Sequence, residues 1–238
     1  MENYSQVILY ASIAAAALLI GGVLSIIRTP GAKLQGAILH FAAGVIFSVV
    51  AVELLPDIMA KHNTLEIVIG FGTGVLLMLA IQYFLEPKKE QEASGGFPIA
   101  FMVIIGIDLL IDGVLMGIGF ATSQEAGVLL AVALSVELLS LGMATSTTLG
   151  SSGASRKIKI LSILGLSVLV LDSALVSATL LSGISDAYLE VILSFGLAAL
   201  LFLVTEELLI EAHENKQTPL LTAAFFAGFL LFMLLPGS

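Results

Sequence analysis

No cysteine occurs anywhere in the chain. Its absence excludes a disulfide framework, a thiolate metal site and a cysteine nucleophile, and leaves oxygen or imidazole as the donors for any metal. Charge is also scarce: 11% of the 238 residues are charged, against about 25% in an ordinary soluble domain. Basic residues are the rarest of these, nine against eighteen acidic, for a net charge of −9. That balance argues against nucleic acid as a partner and suits a cationic guest. The start, Met1 to Gln6, has neither a basic n-region nor a clear small-residue cleavage site, so the first apolar run reads as a retained helix and not a signal peptide.

What is abundant is apolar sequence. The chain is 58% hydrophobic with a mean hydropathy of +1.11, the composition of a multi-pass protein whose main partner is membrane lipid. A helix needs about 20 apolar residues to cross the hydrocarbon core. Stretches at roughly 7–27, 37–59, 65–85, 97–121, 126–149, 158–183, 188–211 and 219–236 meet that length. The fold class is therefore an all-α integral membrane protein with eight transmembrane helices in a single polytopic domain over 1–238. The faintest division falls between the fourth and fifth stretches, at Thr122 to Glu125.

Loops of odd number hold Arg28, Lys33, Lys88, Lys89, Arg156, Lys157, Lys159 and Lys216, which is eight of the nine basic residues. The positive-inside rule then makes these loops cytoplasmic, including 86–96, and puts both termini outside the cell membrane. A partial internal repeat adds to the pattern. The second stretch ends in Glu53-Leu54-Leu55-Pro56-Asp57 and the seventh in Glu207-Leu208-Leu209-Ile210-Glu211, each with acids at i and i+4 on one face. The pairs fall at opposite membrane surfaces, as an inverted repeat requires, and such repeats are common in transporters with a site near the midplane. Gly70 with Gly74, and Gly113 with Gly117, read as close-packing positions between helices.

Four acids lie deep in apolar sequence. Asp108 is about 11 residues into the fourth stretch and Asp112 one turn further, roughly 16–22 Å from the end at 1.5 Å per residue. Glu137 and Asp172 lie at similar depths in the fifth and sixth, so the four form one layer if these helices are neighbours. An ionised acid at mid-bilayer costs roughly 2.5–3.5 kcal/mol on insertion scales. No Lys or Arg lies at that depth in these stretches to offset it, so the compensator is a bound proton or a bound metal cation. An all-carboxylate set favours Mg, Ca or Mn, with Fe(II) and Zn less distinctively selected. Below Glu137, Ser135, Ser140, Thr145, Ser146, Thr147 and Thr148 either line a polar descent or bond back to their own helix. Glu53 and Asp57 at one end, with Glu207, Glu211 and His213 at the other, are candidate entrance and exit relays.

These residues resemble the ZIP (Zrt-, Irt-like) family of divalent metal transporters, as a divergent bacterial or archaeal-type member. The family's second span, FAAGV and a run ending LLPE, is similar to Phe41-Ala42-Ala43-Gly44-Val45 and Leu54-Leu55-Pro56-Asp57. The fourth span's HNxPEG resembles Asp108-Leu109-Leu110-Ile111-Asp112-Gly113, and the fifth span's H/Q-x-x-P-E-G resembles Glu137-Leu138-Leu139-Ser140-Leu141-Gly142. Asp172-Ser173 corresponds to a metal-binding Glu before Pro, and EELxPEA to Glu206 through Ala212. The resemblance implies a 3+2+3 arrangement with inverted outer triplets, a homodimer, and a transported Zn, Mn or Fe(II) ion, with Mg and Ca open. Asp108, Leu109 and Leu141 stand where the family has His, Asn and Glu, and both motif prolines are replaced, by Ile111 and Ser140. The implied two-metal centre is thus reduced to one, with Asp108, Asp112, Glu137 and Asp172 as ligands. The loop at 86–96 has none of the histidines often found there.

The expected function is transport of a divalent cation toward the cytoplasm, and not enzymatic catalysis. One rival reading keeps the acid cluster but makes protons its partner and another solute the cargo. A second is an intramembrane aspartyl protease, since Gly106-Ile107-Asp108 resembles GxGD with its second Gly missing.

Overall fold

A computed structural model of the chain describes residues 2–27, 31–61, 63–85, 97–213 and 218–234. Much of the basic-loop pattern, including Arg28, Lys88, Lys89, Lys216 and the whole 86–96 loop, lies outside the described residues. Those described are helical, with no strand among them: α1 (Glu2–Ile27), α2 (Ala32–Val49), α3 (Leu55–Lys61), α4 (Thr64–Leu85), α5 (Ile99–Thr122), α6 (Gln124–Ser151), α7 (Arg156–Leu181), α8 (Asp186–Phe202), α9 (Leu209–His213) and α10 (Pro219–Met233). A π-helical turn at Val50–Leu54 joins α2 to α3, and another at Leu203–Leu208 joins α8 to α9. Each of those pairs is one continuous rod.

Seven rods are long and apolar enough to cross a membrane, from Tyr4–Ile27 to Tyr188–Leu208. The eighth expected span appears as α10, with 15 residues. At 1.5 Å per residue it reaches about 22 Å, short of a hydrocarbon core about 30 Å thick.

The breaks have local causes. Ser123 alone separates α5 from α6: its backbone is extended (φ −153°, ψ 157°) and its Oγ accepts the Ala126 N–H at 2.9 Å. One capping serine thus turns the chain where the hydropathy pattern is faintest. Gly153 ends α6 at φ 82°, a left-handed position that costs glycine nothing. Its N–H donates to the Gly150 carbonyl at 3.1 Å and the Ala154 N–H to Leu149 at 3.0 Å, the Schellman pair of bonds. Ser155 then starts α7 by accepting the Ile158 N–H at 3.3 Å.

Helix pairing runs through small residues, as expected where lipid removes the hydrophobic drive between helices. Gly21 of α1 faces the Leu139 carbonyl of α6, and Gly142 of α6 faces the Leu18 carbonyl of α1. Gly44 and Gly228 make the same reciprocal contact between α2 and α10, at the carbonyls of Phe225 and Phe41. In both pairs the two contacts mark a single crossing point, where each glycine lets its helix backbone approach the other. Gly113 and Gly117 admit Ser173 and Ser177 of α7 against α5, and Gly70 and Gly74 admit Val191 and Phe195 of α8 against α4; these two pairs are parallel. A Cβ at any of the eight would run into the neighbouring helix.

By contact, α1, α5, α6 and α7 form one group, while α2 carries α10 and α8 carries α4. The joins between these sets are unequal, since α2 lies broadly against α6 and α8 touches α5 only lightly. Leu109, Leu115 and Met116 of α5 and Leu130, Leu134 and Leu138 of α6 are fully buried. Large apolar side chains such as Leu76, Tyr83, Phe84 and Leu180 face outward, which is the polarity of a surface solvated by lipid.

Candidate metal centre

The hairpin at Ser123 sets the depth of the central acids. Asp112 lies 11 residues before it, Asp108 15 before it and Glu137 14 after it. At 1.5 Å per residue these are distances of about 16, 22 and 21 Å along antiparallel helices. Glu137 therefore comes level with the pair on α5. Asp108 and Asp112, four apart, share one face of α5. Each of the three carboxylates offers an oxygen, and these oxygens all lie within 4.8 Å of one another.

Burial makes this a demanding place for charge. Asp112 is 1% exposed and Glu137 3%, while Asp108 is half-buried. Neither oxygen of Asp112 has a hydrogen-bond partner among the described residues. Glu207, in the second π-turn, is near enough to act on Asp112 electrostatically along with Asp108. No Lys or Arg stands in the middle of α5, α6 or α8. Such a group calls for cations or protons.

A different face of α5 is pinned to α7. Ser173 donates to the Leu110 carbonyl at 2.6 Å and Ser177 to the Gly113 carbonyl at 3.2 Å. That docking corrects the expectation of a four-acid layer. Asp172 lies one residue before Ser173, about 100° around the helix, and is exposed. It is not among the acids whose ligand atoms converge, so the central group has three carboxylates.

The relay candidates divide in the same way. Glu53, half-buried in the first π-turn, has Glu125 of α6 and exposed Asp57 of α3 as its electrostatic neighbours. Glu125 escaped the sequence reading, because an acid in a first helical turn is ordinarily only a solvated cap. Glu207 is within electrostatic reach of Asp112. Glu211 lies on α9, and its side chain falls outside the described residues. His213, at the end of α9, is exposed and packs on the buried ring of His40 of α2, with ring centroids 5.4 Å apart. Nδ1 of His40 bonds the Gly36 carbonyl at 2.7 Å, and Nδ1 of His213 bonds the Leu209 carbonyl. In both rings this leaves Nε2 as the nitrogen facing outward from its own helix.

The hydroxyls of α6 follow both alternatives. Ser135, Thr145 and Thr147 bond back to Ala131, Leu141 and Met143 at 2.5, 2.7 and 2.9 Å. Ser140 and Ser146 are buried, and their Oγ atoms have no partner among the described residues. The sequence reading missed the π-turns altogether. Their only visible signal is the shared pattern Val50, Glu53, Leu54, Leu55 and Val204, Glu207, Leu208, Leu209.

No family model matches the chain. It is similar to the zinc transporter ZIPB of Bordetella bronchiseptica, with 29% identity over 244 aligned positions that take in 92% of this chain and 77% of that protein.

Proposed function

We propose that the chain is a ZIP-family transporter, as its similarity to a zinc transporter supports, and that it carries a divalent metal cation across the membrane toward the cytoplasm, through Asp108, Asp112 and Glu137. The observation that carries this reading is the convergence of three carboxylates, two of them almost fully buried. A divalent ion supplies the missing positive charge and accepts the oxygens that Asp112 leaves without partners. It cancels two of three negative charges, and a proton on one carboxyl offsets the third. The protein is on this reading a transporter and not an enzyme.

The light join between α8 and α5, beside the broad join between α2 and α6, supports alternating exposure of the centre. If α2 and α8 are equivalent members of inverted outer triplets in a 3+2+3 arrangement, exchanging the two joins opens the site to the other side. The matching π-turns, and the matching glycine contacts of α2 with α10 and α4 with α8, support that repeat. On this scheme the chain forms one domain, both termini lie outside, Glu53, Asp57 and Glu125 face the incoming ion, and His40 with His213 faces the departing one.

Uptake into proteoliposomes tests the reading. Asp108→Asn and Glu137→Gln should each abolish metal uptake while leaving the folded protein intact by size-exclusion and helical signal. Uptake at the unmodified rate in both variants would overturn the assignment.

A further inference from the structure

We infer that the cation this centre selects is of the hard, oxygen-seeking class, with Mn2+ its transition-metal member, and that the centre lacks the discrimination toward Zn2+ that an imidazole ligand gives. The inference rests on the transport reading and narrows it to a substrate class. Three carboxylates meet within 4.8 Å, and no nitrogen or sulfur donor joins them among the described residues. The chain has no cysteine and three histidines. Two of these, His40 and His213, pack against each other with tilted rings where α2 meets α9, and His62 lies outside the described residues.

Donor type and donor number both bear on the ion. Carboxylate oxygen suits Mg2+, Ca2+ and Mn2+, whereas Zn2+ is most often held by sulfur or imidazole in a four-coordinate shell. Three carboxylates can supply up to six oxygens. Asp112 can bind through both of its oxygens without breaking a hydrogen bond, because neither has a partner among the described residues. Bidentate carboxylates and six to eight ligands are typical of the larger hard cations. A cation holding oxygens at about 2.0–2.6 Å places opposite ligands about 4.0–5.2 Å apart, a span that the observed separation admits. Raw affinity at a given site still rises from Mn2+ to Zn2+, so the class shows in the ratio between them: an all-oxygen centre narrows the gap and an imidazole widens it.

The test uses the full chain in proteoliposomes, with Mn2+ and Zn2+ supplied singly and in competition, and Mg2+ and Ca2+ as added competitors. The wild-type protein should take up Mn2+, with Zn2+ favoured by less than about tenfold and excess Mg2+ inhibiting. Asp108→His should move the Zn2+ to Mn2+ ratio toward zinc by at least about tenfold. If that variant does not fold, Asp112→His should show the same shift. A Mn2+-dependent rise in the Tm of the wild-type protein, reduced in Glu137→Gln, is expected independently of uptake. Zinc uptake from which about a hundredfold excess of Mn2+ is excluded, or no shift in a folded histidine variant, would overturn the hard-cation inference while leaving metal transport standing. Uptake of neither ion, with no stabilisation by either, would overturn the transport reading itself.

Discussion

The two π-turns are alike within themselves and unlike in what surrounds them. In each, the N–H of a following leucine, Leu55 or Leu209, reaches the carbonyl of a valine five residues back, Val50 or Val204. In each, that valine and the leucine after the glutamate, Leu54 or Leu208, are buried. Yet the acids that act electrostatically on Glu53 are Glu125 and Asp57, whereas Glu207 acts on Asp112. Local structure follows local sequence, while the electrostatic task of a residue follows how its rod docks. On the transport reading this inequality is useful: two equivalent arms docked differently define one facing state, and the reverse docking defines the other.

The comparison can be broken or sharpened by replacing acids one at a time and measuring uptake. On the transport reading Asp112→Asn removes a ligand shared by both facing states, and losing one charge from a buried group costs about 3–5 kcal/mol. Uptake should fall more than about a hundredfold, and a folded variant that transports normally would remove the centre from the pathway. Glu207→Gln should slow uptake about tenfold, the effect of about 1.4 kcal/mol, because Glu207 acts on the occupied centre. Glu53→Gln should slow it only about threefold, mostly by raising the metal concentration needed for half-maximal rate. Equal losses in the two variants would mean that the turns are equivalent in task as well as in form. Asp172→Asn should change uptake by less than about twofold, and a loss comparable to that of Asp112→Asn would restore the sixth-span acid as a ligand.

Asp172 also shows which part of the site the sequence could reveal. Depth along a helix follows from counting residues, and Asp108, Asp112 and Glu137 meet because that count is right once Ser123 turns the chain. The face on which a residue lies follows from its helix's partner. Ser173 and Ser177 commit α7 to α5 through Gly113 and Gly117, and so turn Asp172 outward. Those glycines were legible as packing positions, but their partners were not. The π-turns were hidden for a related reason: an i, i+4 pair such as Glu53 and Asp57 looks the same on paper whether or not a wider turn intervenes. Apolar windows located the long apolar helices among the described residues, because lipid-facing sequence is apolar all round. They overstated the last, α10, because an apolar run continues past the residue where the helix ends.

One further consequence belongs to heredity. A π-turn encloses one residue more than an α-turn, so it is a place within a long rod where chain length can change by one without breaking it. Elsewhere in a span a single insertion or deletion swings every later side chain about 100° around the axis and moves glycines off their partner helices. In the turns at Val50–Leu54 and Leu203–Leu208 the added residue is absorbed locally, and the reciprocal glycine contact beside Gly44 keeps its register. A one-codon change here re-aims the glutamate and leaves the bundle unchanged.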